Sequence, residues 1–157
     1  MSHIRLAEFN SADPDRIRPL LTECLDVPRW ADHVLTGRPY ADLDTLLAHA
    51  PITLEPAEIH TAMAAHPRIG EKPATGTSRS EQSGVDDEDA KKFRAANVEY
   101  EERFGHVFLV CASGRSGAEL LENLRGRLGN DPDTELRIAG EELVKIALLR
   151  LEKAVTA

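Results

Sequence analysis

The chain has 157 residues, a length that suits one domain and excludes two ordinary ones. With 41% hydrophobic and 29% charged residues it has the balance of a folded globular protein, not a disordered one. A formal charge of -8, from 19 Lys and Arg against 27 Asp and Glu, and the lack of a basic stripe exclude a phosphate-backbone binder, so no nucleic-acid partner is expected.

The dominant period along the chain is helical. Ile17, Leu20, Leu21 and Cys24 recur at i, i+3, i+4 and i+7 after Asp13-Pro14, an N-cap with proline in the first turn. Val27-Pro28 breaks that helix, and a short one carrying Trp30 and Val34 follows until Gly37 and Pro39 interrupt. Leu43, Leu46, Leu47 and Ala50 repeat the stripe up to Pro51, and Leu54-Glu55-Pro56 opens a helix with Ile59, Ala62, Met63 and His66 on one face. Pro67 to Arg79 is rich in Pro, Gly, Thr, Ser and Lys, and a long irregular stretch inside a compact domain tends to be functional. A helix resumes near Ser78 to Glu81, and another carries Phe93, Asn97, Tyr100 and Phe104 to a terminating Gly105.

Val107 to Ala112 reads equally as buried helix or strand, because a short apolar run has no deciding period. Ser116-Gly117-Ala118-Glu119 is a capping box that opens a helix with Leu120, Leu121, Leu124 and Leu128 and a stop at Gly129. After Asp131-Pro132 the last helix runs close to the end of the chain. The expected fold is all-α, a single compact domain over residues 1–157 of seven or eight short helices with at most a scrap of strand.

Cys24 and Cys111 sit in apolar settings that read as core filler, with one disulfide left open and no C-x-x-C metal or redox pair. Val107 to Ala112 is the longest apolar run and far too short to cross a bilayer. No secretory leader is visible, and the terminal Ala-Val-Thr-Ala is not a peroxisomal tripeptide. A cytoplasmic protein without a membrane partner is the expectation.

Three residues combine unusual position with useful chemistry. His66 directly precedes Pro67, which pushes it out of the α region and places it at the end of the Pro56 helix. A helix C-terminus favours the imidazolium and suits a proton donor, although the same His could simply satisfy the last carbonyls. Glu81 completes Ser78-x-x-Glu81, a capping box, and at the end of the loop it would also fix a carboxylate at a pocket rim. Arg150 falls in the middle of the apolar face set by Leu136, Ala139, Leu143, Ile146 and Ala147. A guanidinium aimed at a core needs a carboxylate, from protein or ligand, unless it snorkels to water at the helix end.

Other chemistries lack their residues. His60 and His66 lie on different helix faces and no H-E-x-x-H exists, so no metal is expected. Gly114-Arg115-Ser116-Gly117 lacks the first glycine and trailing lysine of a P-loop, there is no G-x-S-x-G elbow, and Lys72 on an open loop has no reason to be deprotonated for a Schiff base.

Together the motifs resemble one family over nearly the whole chain. His66-Pro67-Arg68-Ile69-Gly70-Glu71-Lys72, Ser78-x-x-Glu81-Gln82 and Tyr100-Glu101-Glu102-Arg103-Phe104-Gly105 look like the decarboxylases of 2-oxo-4-hydroxy-4-carboxy-5-ureidoimidazoline (OHCU). Phe108 through Ser116, Glu135-Leu136 and Lys145 through Leu151 continue the match, as do Phe9-Asn10, Cys24 and Arg29-Trp30-Ala31 upstream. The resemblance implies an all-helical homodimer that makes S-allantoin in uric acid breakdown. It assigns catalytic roles to His66, Glu81 and Arg150. Pro67, Ser78 and Gln82 match substrate-pocket motifs, and Val110, Cys111, Ala112, Ser113 and Gly114 match a segment whose backbone contacts the ligand. The segment between His66 and Glu81 departs from the pattern, being of a shorter type with Arg68-Ile69 where other members have Asp-Leu. No cofactor is expected, because a C=N bond beside the carboxylated carbon can itself accept the electrons released with CO2.

Overall fold

The computed structural model describes residues 3–64, 87–112 and 114–157, with backbone alone for 87–90. Eight helices occur among them: α1 Leu6–Ser11, α2 Pro14–Cys24, α3 Pro28–Thr36, α4 Leu43–His49, α5 Pro56–Met63, α6 Asp87–Phe104, α7 Gly117–Arg127 and α8 Pro132–Ala154. Two short strands, β1 Ile4–Arg5 and β2 Val155–Thr156, pair in parallel with Ile4 opposite Val155. The chain is therefore all-α, as its periodicity indicates. The helix expected near Ser78 to Glu81 lies outside the described residues.

Local chemistry sets most helix starts. Proline occupies the first turn of α2, α3 and α5, where its missing N–H costs nothing. At α5 the Glu55 N–H donates to Glu58 Oε1 (2.8 Å). At α7 the Glu119 N–H donates to Ser116 Oγ (3.2 Å), while the Ser116 hydroxyl donates to Glu119 Oε1 (3.2 Å). α5 ends at Met63, and the His66 position expected from the sequence lies outside the described residues. The six-residue α1 was not expected: it buries only Leu6 and Phe9, too few positions to show a period.

Two compact units are distinguishable, one of Met1–Leu54 with Val144–Ala157 and one of Glu55–Leu143. In the first, Phe9, Ile17, Leu21, Trp30, Val34, Leu46 and Leu151 are at most 1% exposed. The Trp30 indole N–H donates to the Ala50 carbonyl (2.9 Å), which satisfies the one polar atom of that buried ring. Asn10 pairs reciprocally with the Tyr40 backbone, donating to its carbonyl (2.9 Å) and accepting from its N–H (2.8 Å). In the second unit α6 packs on α7, and Phe93, Tyr100, Leu120 and Leu124 close around Phe108 and Val110.

Aspartate caps open α4 and α8. Asp131 accepts from the Thr134 N–H (3.0 Å) and hydroxyl (2.7 Å), and Asp42 accepts likewise from Thr45 (2.8 and 2.6 Å). These bonds hold both carboxyls below their ordinary value of 3.8, through the Thr134 N–H first at Asp131 and the Thr45 hydroxyl first at Asp42. A depressed folded-state pKa means that the charged cap stabilises fully above the unfolded value and loses its effect as pH falls through the folded one. Asp131→Asn retains an acceptor but cannot titrate. Between about pH 5 and pH 2 the parent is expected to lose melting temperature faster than this variant. A difference between the two melting curves that stays constant with pH would contradict this role.

Candidate active site

On α8 Ala139, Leu143, Ile146 and Ala147 are buried and Leu136 half-buried, which confirms the apolar face. Arg150 lies on it and is only 8% exposed, so it does not snorkel into water. Its Nη1 donates to the Glu23 carbonyl over 3.4 Å. Glu23 stands in the last turn of α2, where carbonyls lack helical partners and the dipole is negative. The guanidinium thus meets the negative end of α2, and its planar fork of five donors has the shape that suits an oxyanion.

Val107 to Ala112 is neither helix nor strand. Phe108, Leu109 and Val110 are buried, and a buried backbone must find partners somewhere. Side chains supply them. The Arg127 Nη1 donates to the Leu109 carbonyl, and the Cys111 N–H donates to Glu142 Oε1 (3.2 Å). Arg127 lies over the Phe108 ring, 4.6 Å from its centroid, and its Nε donates to Glu135 Oε1 (2.6 Å). Nη2 sits close to the same oxygen without the alignment of a hydrogen bond. Glu135 also accepts from the Tyr100 hydroxyl (2.5 Å) and from Asn130 Nδ2 (3.1 Å). Burial above all, and then the bond to Glu135, push the Tyr100 phenol well above its ordinary value, so it stays a donor.

Of the segment matched to ligand contacts, Val110 and Ala112 are buried, Cys111 is half-buried and Gly114 is exposed. The Arg115 N–H donates to the Ala112 carbonyl (3.1 Å), closing a turn in which Gly114 has φ 77, a conformation that only glycine adopts cheaply. His66, Pro67, Ser78, Glu81, Gln82 and Ser113 lie outside the described residues. Cys24 is buried, and it is not joined to Cys111.

Arg127 and Glu142 are not among the candidate residues read from the sequence, and Glu135 enters there only as part of a family motif. Their signal was the one that flagged Arg150, a charge at an apolar position. Glu135 and Glu142 share the spacing of Ala139 and Ile146, and Arg127 follows Leu124 by three.

The all-α architecture of this chain has solved counterparts. Its fold matches a crystal structure of OHCU decarboxylase in the presence of (S)-allantoin, with a TM-score of 0.72 at 27% identity over 90% of this chain and 97% of that one. The family model described as OHCU decarboxylase matches residues 10–152. The chain belongs to the OHCU decarboxylase family and is a carboxy-lyase. Its relatives include the OHCU decarboxylase of Amia calva, 33% identical in an alignment of 141 positions that covers 82% of this chain and 81% of that protein. That of Haloferax volcanii is 26% identical in an alignment of 161 positions, gaps included, that covers 96% of each chain. Among the described residues no helix is long and apolar enough to cross a membrane.

Proposed function

We propose that the chain converts OHCU to S-allantoin in uric acid degradation, without a cofactor and with delivery of the proton to one face. The match of the family model across residues 10–152 carries this reading, and the inward guanidinium of Arg150 supports it chemically. In the reaction the bond to the carboxyl carbon breaks and its electron pair moves into the adjacent C=N bond. CO2 leaves and the nitrogen of that bond takes a proton. The enol-like intermediate becomes allantoin as the former imine carbon takes a proton while the hydroxyl gives one up to form the ring carbonyl. His66 is the proton donor, since an imidazole titrates near neutral pH. Glu81 accepts hydrogen bonds from the hydroxyl or ureido N–H groups. Arg150 anchors oxygens of the substrate by a two-pronged contact. Pro67, Ser78, Gln82 and the backbone from Val110 to Gly114 contribute substrate contacts. The enzyme works as a cytoplasmic homodimer.

Handedness tests this proposal better than rate, because the substrate decays unaided and water protonates both faces of the flat intermediate. Enzyme added to freshly generated OHCU, with a chelator and no added cofactor, is expected to give optically active S-allantoin. Circular dichroism follows the product before it racemises. A racemic product at high enzyme concentration would sink the proposal.

A further inference from the structure

Four charged side chains are buried among the described residues: Arg127 at 6% exposure, Glu135 at 0%, Glu142 at 5% and Arg150 at 8%. Arg127 and Glu142 bond the backbone of Val107–Ala112 directly, and Glu135 bonds Arg127. Buried ion pairs are a poor means of adding stability, because apolar residues of similar volume often do as well, so such a concentration calls for another role. The segment itself indicates it. A run this apolar, left to backbone pairing alone, would join a helix or ladder and hide its N–H and C=O groups. Here side chains take the Leu109 carbonyl and the Cys111 N–H from the protein side. The chain is thus held open without regular secondary structure.

We propose that Arg127, locked by Glu135 and Tyr100, is a positioning residue for substrate binding that sets the backbone of Val107–Ala112 so that Val110 and its neighbours meet the ligand. This rests on the proposed ligand contacts of that segment. Arg127 does not touch substrate. It acts through the Leu109 carbonyl and the face of Phe108. Glu135 aligns it at Nε, and the Tyr100 hydroxyl and Asn130 amide fix Glu135 in turn.

The test replaces the charged cluster at once, with Arg127→Met, Glu135→Leu and Tyr100→Phe, so that no buried charge is stranded, although the Leu109 carbonyl and the Asn130 amide lose their partners. The variant is expected to stay folded with a lowered melting temperature. Amide hydrogen exchange across residues 107–112 is expected to rise at least about tenfold. The Kd for (S)-allantoin, from calorimetry, and the KM for OHCU are each expected to rise about tenfold or more, with kcat within about threefold of the parent. That split is what loss of ground-state positioning predicts and what a purely structural cluster would not show. If exchange is unchanged, the brace does not hold the segment and the proposal is overturned, whatever the affinity. If exchange rises while (S)-allantoin affinity and KM stay at parental values, the brace is real but the segment does not contact ligand, and the contact assignment falls. Should the triple variant not fold, Arg127→Lys carries the same readouts. It keeps the charge beside Glu135 but lacks the planar fork that reaches both Glu135 and the Leu109 carbonyl.

Discussion

Replacement of His66 by asparagine is expected to reduce turnover to the rate of unaided substrate decay while the far-ultraviolet circular dichroism stays helical. General acid catalysis by a placed imidazole is worth about 10²- to 10⁴-fold, and asparagine of similar size cannot carry the proton. The competing role, a histidine that satisfies the last carbonyls of α5, has a different signature. Interaction with a helix C-terminus is worth roughly 0.3–1 kcal/mol, up to about 2 in favourable cases, and its loss would appear in the melting temperature with turnover little affected. The two roles thus separate on one variant, with stereospecific product formation as the assay and thermal denaturation as the control. Turnover within a few-fold of the parent would remove His66 from the mechanism.

Arg150 carries the second large effect. The guanidinium is buried and touches the α2 carbonyl of Glu23, so a structural part of its role is already visible. The contact with the Glu23 carbonyl, one long hydrogen bond at a helix end that Arg150→Ala removes, is worth about 1 kcal/mol in stability. A substrate oxyanion left without its arginine is far costlier. Truncating one partner of a buried, hydrogen-bonded charge pair costs about 2–5 kcal/mol, or roughly 30- to several-thousand-fold in affinity. Calorimetry with (S)-allantoin, together with KM for OHCU, is expected to show a loss in the larger range, and Arg150→Lys is expected to recover only a small part of it. Binding that matches the parent in both variants would leave Arg150 as a brace for α2 alone.

The same physics explains which parts of the site could be read in advance. Arg150 stood out because a helix has a fixed angular period, and one charge in the apolar stripe breaks it. Glu135, Glu142 and Arg127 break it as well, but a carboxylate in the first turn of a helix, as Glu135 is, or an arginine at a helix end, as Arg127 is, also has an ordinary surface explanation. The neighbours that bury them come from Tyr100, Phe108 and Cys111, remote in sequence. Val107–Ala112 could not be read for a related reason. Its backbone partners are side chains of α7 and α8, and no local pattern encodes a bond between Leu109 and Arg127.

The sequence by itself determined the all-helical class, the starts of α2, α3, α5, α7 and α8, and the ends at Gly105 and before Pro51. It also determined the family, through the order of its motifs. Those features follow from proline, capping side chains and a 3.6-residue period, which act over a few neighbouring residues. Tertiary structure alone decided that α1 is helical, that Val107–Ala112 is irregular, and that Arg127, Glu135, Glu142 and Arg150 turn inward. Each outcome depends on which distant group satisfies a buried polar atom, and that is settled only when the helices pack.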